Sequence, residues 1–238
     1  MKACARLVIE RDGERSVVAT LRSAVPLTLM PARTRGQEAV VRLVNSAAGP
    51  LGGDELHLSV HVGAGARLVL ASIAATVVLP GQHDEPSRST VSFELAPGAR
   101  VAHLPEPTVL TARASHHAML RADLSGDAVL HTREVLVLGR DGETPGTLST
   151  TTHATRDGAP LLHQRLDVGE AEVDASVASL AGHRVLATEL VLDGSSPQPA
   201  SDTWWSRTPL AAGGSLTTAL ADDTVTALRY LRAARSPR

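Results

Sequence analysis

Apolar and polar residues alternate over short stretches of this chain, the period of two that belongs to half-buried β-strands rather than helices. From Leu56 to Val62 the apolar Leu56, Leu58, Val60 and Val62 alternate with His57, Ser59 and His61. The same pattern predicts strands near Ala5–Glu10, Ser16–Arg22, Glu38–Asn45, Glu55–Val62, Ala66–Ile73, Ser89–Leu95 and Ala99–Leu104. Further strands are predicted near Ala118–Leu124, Ala128–Leu138, Leu148–Thr155, Leu161–Val168, Glu172–Leu180 and Arg184–Leu192. Gly52 and Gly53 before Asp54, and Gly63 and Gly65 before Arg67, supply tight turns, so the strand ending at Val62 and its successor are expected to form a hairpin. Gly81–Ser89 and Asp193–Asp202 are polar and turn-forming, and are expected to be exposed loops.

With 19 glycines and 14 prolines the chain leaves no long helical window before about residue 215. The last element opens at Asp222 and Asp223, carries Val225, Leu228 and Leu231 on one face, and ends with Arg229, Arg232 and Arg235 near the negative pole of a helix. This predicts a short C-terminal amphipathic helix, packed on its own domain or docking a partner. A weak internal repeat runs through the first half. Val62-Gly-Ala-Gly-Ala-Arg-Leu68, Leu95-Ala-Pro-Gly-Ala-Arg-Val101 and Leu124-Ser-Gly-Asp-Ala-Val-Leu130 recur at intervals of 33 and 29 residues. Each is a strand, a tight turn and a new strand, as in stacked β-layers that bury their apolar faces on one another; hairpin-rich proteins reuse such turns as well. The fold class is therefore all-β, a single domain over residues 1–238 of short strands and hairpins with a C-terminal helix, its strands either stacked in layers or joined as ordinary hairpins.

Composition narrows the function. A formal charge of −2 from 23 basic and 25 acidic side chains gives no footprint for nucleic acid or an anionic membrane. The aromatic residues Phe93, Trp204, Trp205 and Tyr230 make up 2% of the chain, too few for the stacking platforms of sugar clefts or single-strand grooves. The single cysteine, Cys4, cannot close an internal disulfide, and the start lacks a signal-peptide pattern, so a cytoplasmic location is expected. No apolar run approaches the roughly 20 residues that span a bilayer.

No nucleophile elbow, Walker A loop, dinucleotide fingerprint or H-E-x-x-H helix occurs. His57 and His61 share a strand face but lie about 13 Å apart at about 3.3 Å per residue, too far for one ion on a straight strand. His116 and His117 point to opposite faces. Two carboxylates carry more information. Asp54 follows two glycines, where a side chain can cap backbone N–H groups. Glu134 lies on the strand face of Leu130, Leu136 and Leu138 and should enter a low-dielectric interior, where it needs an arginine such as Arg113 or Arg133, a water channel or a cation.

Five motifs in order, Leu51-Gly-Gly-Asp54, Gly63-x-Gly65-Ala-Arg67, Ala74-Ala-Thr76, Pro105-x-Pro107-Thr108 and Glu134-x-Leu-x-Leu-Gly139-Arg140, resemble the urease accessory protein family called UreD or UreH. The chain departs from the family pattern at Val77 and Val78, in place of Lys and an aromatic, and at Arg133, in place of an aromatic. The resemblance implies a β-helix-like fold and a scaffold, not an enzyme, that binds a helical UreF-type partner and, through it, a UreG-type GTPase. It implies passage of Ni²⁺ to apo-urease without a tightly bound cofactor, and it allows a dimer of such heterocomplexes. On that resemblance Asp54 and Glu134, with His57 and His61 behind them, are the candidates to meet nickel in transit. Sparse oxygen ligands suit such a route, because clustered thiolate and imidazole would trap Ni²⁺. Two other readings stay open: a hydrolase or lyase using Asp54 and Glu134 as acid and base, and a β-rich protein-binding module with no metal role.

Overall fold

A computed structural model describes residues 1–82 and 85–235 of the chain. In order, the strands are β1 (Lys2–Asp12), β2 (Arg15–Arg22), β3 (Leu27–Ala32), β4 (Ala39–Asn45), β5 (Glu55–Val62), β6 (Arg67–Ser72), β7 (Thr76–Val78), β8 (Ser87–Leu95) and β9 (Arg100–Leu104). They continue with β10 (Thr108–Leu110), β11 (Ser115–Leu124), β12 (Val129–Leu138), β13 (Thr147–Arg156) and β14 (Ala159–Val168). A one-turn helix α1 (Ala171–Asp174) follows, then β15 (Val185–Leu192), β16 (Ala200–Asp202), β17 (Trp205–Pro209), β18 (Ser215–Ala221) and the C-terminal helix α2 (Thr224–Arg235).

The strands form two sheets that pack face to face. One has seven strands in the order β14-β13-β11-β8-β5-β1-β2; the other has the order β16-β17-β18-β15-β12-β9-β6-β4-β3, with β7 and β10 off its main path. In the middle of the molecule the chain winds between them: β5, β8, β11 and β13 pair in parallel in the first sheet, while β4, β6, β9 and β12 pair in parallel in the second. This is the stacked-coil, solenoid-like arrangement that the internal repeat allowed and the family resemblance implied. The repeated turns sit on top of one another. The Gly65 N–H donates to Pro97 O, the Gly98 N–H to Asp127 Oδ1 and the Gly126 N–H to Asp157 Oδ1.

Each of those turns is an arch between sheets. β5 and β6 do not pair with each other, so the expected hairpin at Gly63–Arg67 is corrected: β5 joins β1 and β8, and β6 joins β4 and β9. Both strands bury apolar faces, and a turn that crosses from one layer to the next lets those faces pack on each other. True hairpins close the stack at β1–β2, β3–β4 and β13–β14.

The strand expected at Glu172–Leu180 is instead α1 and a run of turns. Its apparent alternation is not a buried face: Val173 is 50% and Val177 92% exposed. The buried Asp174 accepts the Gly169 N–H at 2.8 Å and holds the segment in its local turn. Two expected loops are shortened, since Ser87–Ser89 opens β8 and Ala200–Asp202 forms β16; His83 and Asp84, in the first of these loops, lie outside the described residues.

Helix α2 lies on the outer face of the second sheet. Asp223 caps it, accepting the Thr226 N–H and hydroxyl at 2.8 Å each. Its buried stripe is Ala227, Leu231 and Ala234; Val225, expected on that stripe, is 74% exposed. Small residues on both sides, Ala227 above and Ala187, Ala219 and Ala221 below, allow close approach and form one apolar cluster with Leu231. Among the described residues no helix is long and apolar enough to cross a membrane.

Candidate functional site

Between the sheets the interior is divided. One apolar cluster, with Leu7, Val60, Phe93, Leu124 and Leu130, fills the side of the arches; a second, with Val78, Leu110, Leu136, Leu148 and Leu186, fills the opposite side. The division follows from three strands whose inward faces turn polar halfway along. On β12 the face runs Leu130, Thr132, Glu134, Leu136; on β13 it runs Leu148, Thr150, Thr152, Ala154; on β14 it runs Leu166, Gln164, Leu162. These polar positions line a cavity of about 210 Å³, together with the half-turned Arg133 and the buried His103 and His116.

Glu134 projects into this cavity from the second sheet. Its only side-chain partner among the described residues is the Thr150 hydroxyl of the first sheet, which lies 3.1 and 3.2 Å from the two carboxylate oxygens. Neither Arg113 nor Arg133 pairs with it, so of the three compensations open to a buried carboxylate the arginine is not the one adopted. Arg133 instead donates to Pro105 O at 3.3 Å and leaves its Nε buried without a partner. Burial pushes the Glu134 carboxyl up to about 6, against the opposing pull of the Thr150 hydrogen bond.

The two histidines of the cavity are held neutral. Burial lowers His103 to about 4, and its Nδ1 lies 3.0 Å from the Thr132 hydroxyl. Burial, with a smaller contribution from the neighbouring His117, lowers His116 to about 4; its two nitrogens lie 2.8 and 2.9 Å from the hydroxyls of Ser87 and Ser89. The lining thus offers neutral hydroxyl, amide and imidazole groups around the Glu134 carboxylate, with Glu106 and Arg133 as its other charged members. Among the described residues no group of three or more His, Cys, Asp or Glu side chains is placed to hold a metal ion.

The cavity meets an interruption in the second sheet. β9 pairs with β12 only as far as His103 and Thr132, and β10 resumes the pairing at Thr108 and Leu136. On the other side β6 follows β9 to Leu104, and β7 rejoins β10 at Thr76. Pro105 and Pro107 cause the break, since neither can donate to a ladder. Ser72, Thr76, Pro105, Glu106 and Arg133 surround the gap and also line the cavity.

The four sequence candidates are not brought together. Asp54 is 4% exposed in the Gly52-Gly53 turn, where it accepts the Leu51 N–H at 2.9 Å and lies 2.6 Å from the Met1 amino group. It lines a separate cleft with Leu51, Gly52, Pro80 and Gly81. The turn needs both glycines: Gly53 has φ +83°, and a Cβ on Gly52 would lie 2.7 Å from backbone atoms of Gly81 and Glu85. His57 and His61 lie on the outward face of β5, with His57 3.1 Å from the Ser92 hydroxyl and His61 3.5 Å from Glu94. Sequence reasoning missed Thr132, Thr150, Thr152, Gln164, His103 and His116. The signal was available for the threonines, as hydrophilic interruptions in the middle of otherwise apolar strand faces.

A family model described as UreD urease accessory protein matches residues 1–237. The chain is 52% identical to "Urease accessory protein UreD 1" of Saccharopolyspora erythraea, over 97% of this chain and 93% of that protein. It is 39% identical to "Urease accessory protein UreD" of Parafrankia sp., over 97% and 86% of the two chains. It is also 36% identical to "Urease accessory protein UreD" of Frankia alni, over 100% and 93%.

Proposed function

The chain belongs to the UreD urease accessory protein family, and on that premise we propose that it is a non-catalytic scaffold that helps pass Ni²⁺ to apo-urease through the cavity between its sheets. In this reading it acts in the cytoplasm, binds a helical UreF-type partner and receives nickel from a UreG-type GTPase through the complex, which can pair into a dimer of heterocomplexes. Nickel is cargo and leaves no resident cofactor.

The observation that carries the proposal is Glu134. A carboxylate enclosed without a cationic partner is costly to ionise, and an arriving divalent cation would supply the missing charge. Around it, Thr132, Thr150, Thr152 and Gln164 are replaceable neutral oxygen donors that bind Ni²⁺ weakly enough to release it. Asp54 enters the proposal as the residue that fixes the Gly52-Gly53 turn beside a second cleft, and His57 and His61 as outer-surface groups. Acid–base chemistry by Asp54 and Glu134 acting together is disfavoured, because the two line different cavities.

The test is urease activity after co-expression of apo-urease and the other accessory proteins with the wild-type chain, with Glu134→Ala or with no chain, and with pull-down of the UreF-type partner from the same lysates. Activation that needs the chain and falls in Glu134→Ala while pull-down persists supports the route. Full activation with Glu134→Ala would sink it, and activation independent of the chain would sink the scaffold role as well.

A further inference from the structure

The outer face of the seven-stranded sheet carries a feature unrelated to the cavity. His153 on β13 and His163 on β14 are direct partners across an antiparallel pair, and their rings meet edge to face with centres 5.4 Å apart. β14 is the edge strand of the sheet, His163 is exposed and His153 half-exposed. Among the described residues neither ring takes part in a side-chain hydrogen bond, whereas His57, His61, His103, His116, His131 and His183 each have a polar partner. Two opposed imidazoles at this separation can each bring a nitrogen to about 2 Å from one shared ion.

The surrounding charges leave the pair open. Arg121, opposite His153 on β11, is turned to Met119, whose sulfur accepts its Nε at 3.1 Å. Arg165 is held by both oxygens of Asp167, and Asp123 accepts the Thr155 hydroxyl.

We propose that His153 and His163 form a two-imidazole chelate for one borderline divalent transition ion, Ni²⁺, Cu²⁺ or Zn²⁺, on the outer face of the sheet. Imidazole is the ligand type these ions share. The antiparallel pair, whose register shifts only past Ala154, presents both rings without ordering a loop, so little conformational entropy opposes binding. With only two protein ligands the ion keeps open positions for water or for a donor from another molecule. The site is separate from the interior cavity and stands whether or not that cavity conducts nickel.

Titration calorimetry of the full-length chain with NiCl₂, and separately with CuCl₂, tests this against His153→Asn, His163→Asn and, as a control at an exposed histidine elsewhere on the same sheet, His117→Asn. The expected result is one ion at this site in the wild type and in His117→Asn, with affinity at least tenfold weaker in His153→Asn and His163→Asn. Electron paramagnetic resonance of the Cu²⁺ form should report two nitrogen ligands in the wild type and fewer in either variant. Metal-free melting temperatures of the variants, expected to match the wild type, keep a folding defect from imitating the loss. His163→Gln serves as a second variant if His163→Asn melts early. Unchanged affinity in His153→Asn and His163→Asn, no binding by the wild type, or loss of the same site in His117→Asn alone would overturn the proposal and leave the two rings as an aromatic contact only.

Discussion

Thr150 of the seven-stranded sheet donates its hydroxyl to Glu134 of the facing sheet, at 3.1 and 3.2 Å from the two carboxylate oxygens. The bond spans the cavity, so the Glu134 carboxylate is positioned by a residue from the opposite layer. Glu134→Gln keeps the size of the side chain and removes its charge. Urease activation in co-expressing cells should fall several-fold with this variant, while capture of the UreF-type partner stays at the wild-type level. Thr150→Val should lower activation less, because it disturbs the carboxylate without removing it.

Glu134 also predicts a pH dependence. Its folded-state carboxyl is raised to about 6 from an ordinary value of 4.5, because burial disfavours the charged form. The folded chain therefore binds the proton more tightly than the unfolded chain, and ionisation of this group costs stability as pH rises from about 4.5 to about 6. The cost levels off above that window at about 2 kcal/mol. Denaturant unfolding of wild type and Glu134→Gln across pH 4.5 to 7 should show the variant gaining relative stability as pH increases; parallel curves would contradict the assignment.

At the second cleft the two acidic candidates should separate. Asp54→Ala removes the acceptor for the Leu51 N–H and should cost about 1–2 kcal/mol of stability. Gly52→Ala forces a methyl group to within 2.7 Å of the Gly81 backbone and should cost about 1–3 kcal/mol. Any loss of urease activation in these two variants should follow the amount of folded protein, measured by thermal melts and soluble yield. A loss in Glu134→Gln should not.

The C-terminal helix is fastened by charge as well as by packing. Glu189, 2% exposed on β15, is bonded by His131 of β12 and by Arg235 of α2. Burial alone would raise its carboxyl, but the bonds from His131 and Arg235 prevail and hold it at about 2. This stabilisation is present above pH 4.5 and lost as pH falls from there towards 2. Arg235→Ala should lower stability by roughly 2–4 kcal/mol and loosen α2, read as faster amide exchange in residues 224–235. In Glu189→Gln the acid-dependent part of the loss should disappear.

Period-two alternation in β1, β5, β9 and β12 was enough to predict the all-β class, whereas the repeated turns allowed layering and ordinary hairpins alike, and the family resemblance favoured the layers. Six strands, β3, β7, β10, β16, β17 and β18, escaped, β7, β10 and β18 for identifiable reasons. β7 and β10 have three residues each, too short to show a period. β18 buries Ser215, Thr217, Ala219 and Ala221, a face of small and polar residues that matches no hydrophobic template. In the opposite direction, the Val173 and Val177 alternation imitated a strand where the backbone closes its hydrogen bonds locally.

By itself the sequence determined the inward direction of Glu134, the outward direction of His57 and His61, and the turn chemistry of Asp54, because each follows from neighbours one to three residues away. Only the tertiary structure decided that β5 and β6 belong to different sheets, that Thr150 and Gln164 face the cavity that Glu134 enters, that Asp54 lies elsewhere, and that His153 meets His163. Those relationships depend on register between strands from 10 to more than 50 residues apart. Register is fixed by how whole faces pack, which short-range periodicity does not encode.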